Sequence, residues 1–67
     1  MDAELQVEYI GLVHKYFPRA SINYAISILN NHTNWEYDTY EEVEEQIKLF
    51  KAEKVDIYIK MNKGRRN

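Results

Sequence analysis

Hydrophobic residues along this chain recur with the period of a helix except at two places, and those breaks set how many elements it can form. The first is Phe17-Pro18. A proline pushes the residue before it out of the α region, so a first helix has to stop there. The second is Asn30-Asn31-His32-Thr33-Asn34, whose short polar side chains bond to nearby backbone and favour turns over helix interiors.

The segments on either side carry separate apolar stripes. Between residues 3 and 17, Leu5, Tyr9, Leu12, Val13 and Tyr16 gather on one side, with Ile10 and Phe17 at its margin and Glu4, Glu8, Gly11 and Lys15 opposite. Asp2 is placed to cap this helix. Ala3, Leu5, Val7 and Tyr9 also alternate with polar neighbours as a half-buried strand would, but that pattern stops at Ile10 while the helical stripe runs on to Phe17. In the second segment Ile22, Ala25, Ile26 and Leu29 form the stripe, with Tyr24 and Ile28 beside it. Either Pro18 in the first turn or Ser21 as N-cap can open this helix.

The third segment has the clearest start. Thr39 followed by Glu42 is a capping box, and Asp38, Glu41 and Glu42 lie where the helix dipole favours negative charge. Tyr40, Val43, Ile47 and Phe50 form its stripe, which Ile57, Tyr58 and Met61 continue. Val55, Ile57, Ile59 and Met61 also alternate, which leaves an α+β alternative with residues 55–61 as a strand, paired with residues 3–9 or with the same segment in a dimer. The sequence thus predicts an all-α fold, a small three-helix bundle with helices near 3–17, 19–30 and 39–61. Residues 1–62 form a single helical domain and residues 63–67 a flexible basic tail.

At 67 residues only about 60% of the unfolded chain's surface can be buried, so the core is marginal and a second copy would help to cover it. The chain has no cysteine, which excludes a disulfide framework or a thiolate zinc site and points to a reducing, cytoplasmic setting. His14 and His32 share no ligand spacing, so neither a metal nor another cofactor is expected. The first residues are acidic where a secretory signal is basic, and no apolar run approaches the roughly 20 residues that cross a bilayer. No membrane partner follows.

The sequence also argues against catalysis. Neither histidine belongs to a nucleophile–base motif, and Gly11 and Gly64 are the only glycines, so no glycine-rich phosphate loop can form. The expectation is a non-catalytic interaction or regulatory module of the inhibitor or adaptor type. Its candidate partner-binding residues are the aromatics Trp35, Tyr37 and Tyr40 interleaved with Glu36, Asp38, Glu41 and Glu45, since Trp and Tyr anchor interfaces and carboxylates select a basic partner surface. Trp35 and Tyr40 could instead plug the end of the bundle. The alternative is nucleic-acid binding through Lys60, Lys63, Arg65 and Arg66, which would add salt-dependent affinity for phosphates.

Two short segments resemble known families. Gln46-Ile47-Lys48-Leu49-Phe50 is similar to the Gln-Leu-x-Leu-Phe peptide by which bacterial replication and repair proteins dock on the sliding clamp. That resemblance implies a clamp binder using these residues as an extended segment, whereas the periodicity places them in a helix. Tyr16-Phe17-Pro18 closing a first helix resembles the Met-Phe-Pro of ubiquitin-binding CUE domains. The connection over residues 30–38 is longer than in that family, and Leu49-Phe50 stands where it has paired leucines.

Overall fold

The computed structural model describes residues 3–65, with side chains described for residues 3–55. It contains three helices, α1 (Ala3–Tyr16), α2 (Ile22–His32) and α3 (Tyr40–Arg65), each packed against both others. The all-α bundle expected from the periodicity is the fold adopted. Residues 55–61 are helical, so the strand alternative is not taken up.

Helix boundaries follow local chemistry. α1 ends at Tyr16, one residue short of Phe17, although the Phe17 amide still donates to the Val13 carbonyl at 2.8 Å. Asp2, the expected N-cap, lies outside the described residues. α2 starts three residues later than expected because Ser21, not Pro18, opens it: the Ser21 hydroxyl accepts from the Tyr24 amide at 3.0 Å. It also runs through Asn30 and Asn31 to His32. Thr33 then closes it, its amide and hydroxyl both donating to the Leu29 carbonyl at 3.2 and 2.7 Å. The Thr39–Glu42 capping box forms as the sequence requires, with Thr39 N–H to Glu42 Oε1 at 2.8 Å and Glu42 N–H to Thr39 Oγ1 at 3.3 Å. α3 continues four residues past the expected end at 61 and takes Lys63 and Arg65 into the helix, where cations suit the negative end of the dipole.

The core is formed by Tyr9, Leu12 and Val13 of α1, Ala25, Ile28 and Leu29 of α2, Trp35 of the connection, and Val43 and Ile47 of α3. Leu5, Ile10, Tyr16, Phe17 and Phe50 pack around it. The α1 stripe and the Val43, Ile47 and Phe50 part of the α3 stripe are those read from the sequence; Tyr40 is exposed, and the side chains of Ile57, Tyr58 and Met61, which would continue the stripe, lie outside the described residues. In α2, Ala25 and Leu29 of the expected stripe are buried, but so is Ile28 beside it, while Ile22 in the first turn is 62% exposed and Ile26 is half-buried. A helix of 11 residues in contact with two neighbours buries the side that faces both, and Ile22, its first residue, is left exposed.

Contacts between α1 and α3 rise together along both chains, from Tyr9 against Tyr40 to Tyr16 against Glu44 and Phe17 against Phe50, so the two helices run in the same direction. α2 packs against both, with Tyr24 near its start beside Lys54 and His32 at its end beside Phe50. Residues 33–39 then carry the chain back to the Tyr9 end. α3 has 26 residues and is about 39 Å long at 1.5 Å per residue, nearly twice the length of α1, and residues 51–55 are all exposed. The radius of gyration is 13.7 Å, against about 11 Å for a spherical domain of this length.

Candidate recognition surface

Among the residues singled out by sequence, Trp35, Glu36, Tyr37 and Asp38 form a turn in which the Tyr37 and Asp38 amides both donate to the Asn34 carbonyl at 2.9 Å. The turn is held from beneath. Trp35 is 3% exposed, its ring edge-on to Tyr9 at 6.1 Å between centroids and its indole N–H donating to Asn30 Oδ1 at 3.2 Å. Gln46 bridges the turn to α3: its Oε1 accepts from the Asn34 amide at 2.8 Å and its Nε2 donates to Asp38 Oδ2 at 2.6 Å. Trp35 is therefore taken by the core rather than presented to a partner.

That arrangement pushes Tyr37 outward. Its side chain is 88% exposed, the most exposed of the large hydrophobic residues described. Tyr40 is also exposed, at 39%, and stacks on Tyr9 at 5.8 Å and 23°. Glu36 and Glu41, next to Tyr37 and Tyr40 in the chain, are exposed, Asp38 is half-buried, and Glu45 is exposed farther along α3. The Tyr9 hydroxyl registers this surrounding charge: burial first, then the carboxylates of Glu8 and Glu41, hold its pKa above the ordinary tyrosine value. The structure thus gathers Tyr37, Tyr40, Glu36, Asp38 and Glu41 at one end of the bundle.

The other sequence candidates are placed differently. Lys60, Lys63 and Arg65 fall in the last turns of α3, where side chains are not described, and Arg66 lies outside the described residues. The Gln46–Phe50 segment is helical, with Ile47 fully buried, Gln46 bonded as above, and Phe50 between the rings of His32 at 3.9 Å and Phe17 at 5.8 Å. Docking it as an extended peptide would require α3 to unwind and the core to lose Ile47.

Both histidines have structural roles. His14 Nε2 lies 2.9 Å from the Ala20 carbonyl, an acceptor only, so that nitrogen carries the proton and ties α1 to the turn after it. His32 stacks on Phe50. Among the described residues no group of three or more His, Cys, Asp or Glu side chains could hold a metal ion, and no helix is long and apolar enough to cross a membrane.

One concavity was not anticipated. Tyr16, Phe17, Pro18, Ala20 and Tyr24, together with Arg19 and Ser21, line a cavity of about 600 Å³ beside the α1–α2 turn. A second, of about 370 Å³, shares Phe17 and is walled by Lys51, Lys54 and Val55 of α3. Lys54 donates to the Tyr24 hydroxyl at 2.6 Å and lies 5.0 Å from that ring's centre, while Lys51 stands about 6 Å from the rings of both Tyr16 and Phe17. The sequence signals were the Phe17-Pro18 break and the lysines three apart on α3. Only the packing of α1 along α3 brings them together.

Glu44 completes the α1–α3 seam: its Oε2 accepts from the Tyr16 hydroxyl at 2.5 Å and from Lys15 Nζ at 3.1 Å. The tyrosine hydrogen bond, then the lysine one, hold the Glu44 carboxyl below its ordinary pKa, and Tyr16 and Lys15 are raised in return. No protein-family model matches the chain, and no curated protein or solved structure shows significant similarity to it.

Proposed function

We propose that this protein is a non-catalytic recognition module, a regulator or adaptor working in the reducing cytoplasm, that binds a basic protein surface through Tyr37 and the carboxylates around it. The observation that carries this reading is the exposure of Tyr37, at 88%, on a turn fixed from below by Trp35 and Gln46. A large aromatic on a turn whose backbone is already fixed needs little backbone ordering on binding and supplies apolar contact area, and Tyr is among the residues that most often anchor interfaces. Glu36, Glu41 and Glu45 add electrostatic selection for cations and faster encounter. The engagement of both histidines in structural contacts supports a non-catalytic role.

The test is capture from lysate on immobilised protein, comparing wild type with Tyr37→Ala and with Glu41→Lys plus Glu45→Lys, each checked for helicity by circular dichroism. A protein held by wild type, released by raised salt and lost with both folded variants supports the reading. Capture that survives both changes, or that nuclease abolishes, overturns it, the latter in favour of nucleic acid.

A further inference from the structure

We infer that the groove between the α1–α2 turn and α3 receives Tyr37 of a second copy of this chain, so that copies join head to tail. The inference rests on the reading of the Tyr37 end as a recognition surface and names a partner for it.

The groove specifies its occupant by chemistry. Its walls are the rings of Tyr16, Phe17 and Tyr24 with Pro18 and Val55, and Val55 is 48% exposed. Its rim is cationic: Lys54 is held against Tyr24, Lys51 beside Tyr16 and Phe17, and Arg19 is exposed at the turn. Glu53 is the one acid among residues 48–55. A group with an aromatic centre and flanking carboxylates satisfies both features, because the ring covers apolar wall while the carboxylates meet the lysines at the mouth.

The chain carries such a group in Glu36-Tyr37-Asp38. Tyr37 stands ahead of α3, and Lys54 lies 14 residues into the helix from Tyr40, about 21 Å along its axis at 1.5 Å per residue. One copy cannot therefore close its own loop onto its own groove, and the contact is between molecules. Charge segregation favours the pairing. No Lys or Arg occurs between Arg19 and Lys48, the interval that holds Glu36, Asp38, Glu41, Glu42, Glu44 and Glu45. The net charge of only −2 leaves little repulsion between copies. Because loop and groove are different surfaces, the contact is heterologous and propagates into chains or rings instead of ending at a two-fold dimer.

The experiment is sedimentation velocity over a wide concentration range with three proteins: wild type, a loop variant (Glu36→Lys with Tyr37→Ala) and a groove variant (Lys51→Glu with Lys54→Glu). Lys51→Ala with Lys54→Ala serves as a second groove variant should charge reversal disturb the fold. Wild type is expected to exceed its 8.1 kDa monomer mass as concentration rises and to return to it in high salt. Each variant alone stays monomeric. An equimolar mixture of the two forms a dimer and nothing larger, since one supplies an intact groove, the other an intact loop, and the remaining ends are disabled. A monomeric wild type, assembly by either variant alone, or a mixture without dimer overturns the inference. The groove variant keeps Tyr37, so if it still captures a foreign partner while self-association is absent, the proposed function stands and only this inference falls; a foreign acidic peptide is then the remaining occupant of the groove.

Discussion

Two aromatic residues separated by one position have opposite roles. Trp35 is 3% exposed and Tyr37 is 88% exposed, because the turn at residues 34–38 points one ring into the core and the next outward. Trp35→Ala removes a core ring and is expected to cost roughly 3–5 kcal/mol, a large part of the ~3–10 kcal/mol total of a domain this size. Tyr37→Ala is expected to stay within about 0.5 kcal/mol. Urea titrations of both variants check this, and equal losses would show that Tyr37 also supports the fold. Glu44 gives a second residue-scale expectation. Its carboxyl is depressed in the folded state, so its contribution is complete above the ordinary carboxylate pKa and is lost as pH falls through the lower folded value. Tyr16 and Lys15 are raised, so their share is present below their ordinary values and lost only as strongly alkaline pH passes the folded ones. Wild type is therefore expected to lose more stability than Glu44→Gln between neutral pH and the acid side of the carboxylate range; parallel thermal melts in that interval would refute the coupling.

At the scale of the element, helix ends are set by single side chains. Ser21 and Thr39 each cap a helix start through a bond to an amide three residues on. Ser21→Ala and Thr39→Ala are each expected to cost about 1 kcal/mol. The loss at Thr39 should be reduced in a Glu42→Ala background, where half of the capping box is already gone; an unchanged loss would show that the two bonds act independently. Gly11 offers the reverse. It is exposed in the middle of α1 and an added Cβ there would meet nothing within 4 Å, so Gly11→Ala is expected to stabilise by roughly 0.5–1 kcal/mol, read as a raised Tm.

At the scale of the whole molecule, one cluster draws on all three helices and the connection before α3, so no helix has a core of its own. Unfolding is expected to be a single cooperative transition. Trp35 is the only tryptophan and sits in that cluster, which makes its emission a reporter of the core. Its midpoint in urea should coincide with that of the near-ultraviolet tyrosine signal. Separate midpoints would mean that the Tyr9–Trp35–Tyr40 end opens independently of the rest.

The sequence by itself determined the helices, because period, proline, capping box and polar turn residues act within a few positions along the chain. It also determined which sides of α1 and α3 would be buried, down to Val13, Val43 and Ile47. The burial of α2 was decided by tertiary structure: Ile22 and Ile28 are similar in hydrophobicity, and only the placement of a short helix against α1 and α3 leaves one in water and the other in the core. The same holds for the candidate sites. The aromatic and acidic residues around Tyr37 were legible because they are neighbours in sequence, but which ring faces solvent depended on the bonds from Asn30 and Gln46 across the turn. The lysine-rimmed groove could not be read at all, since Phe17 and Lys54 are far apart along the chain and meet only because α1 and α3 pack side by side in the same direction.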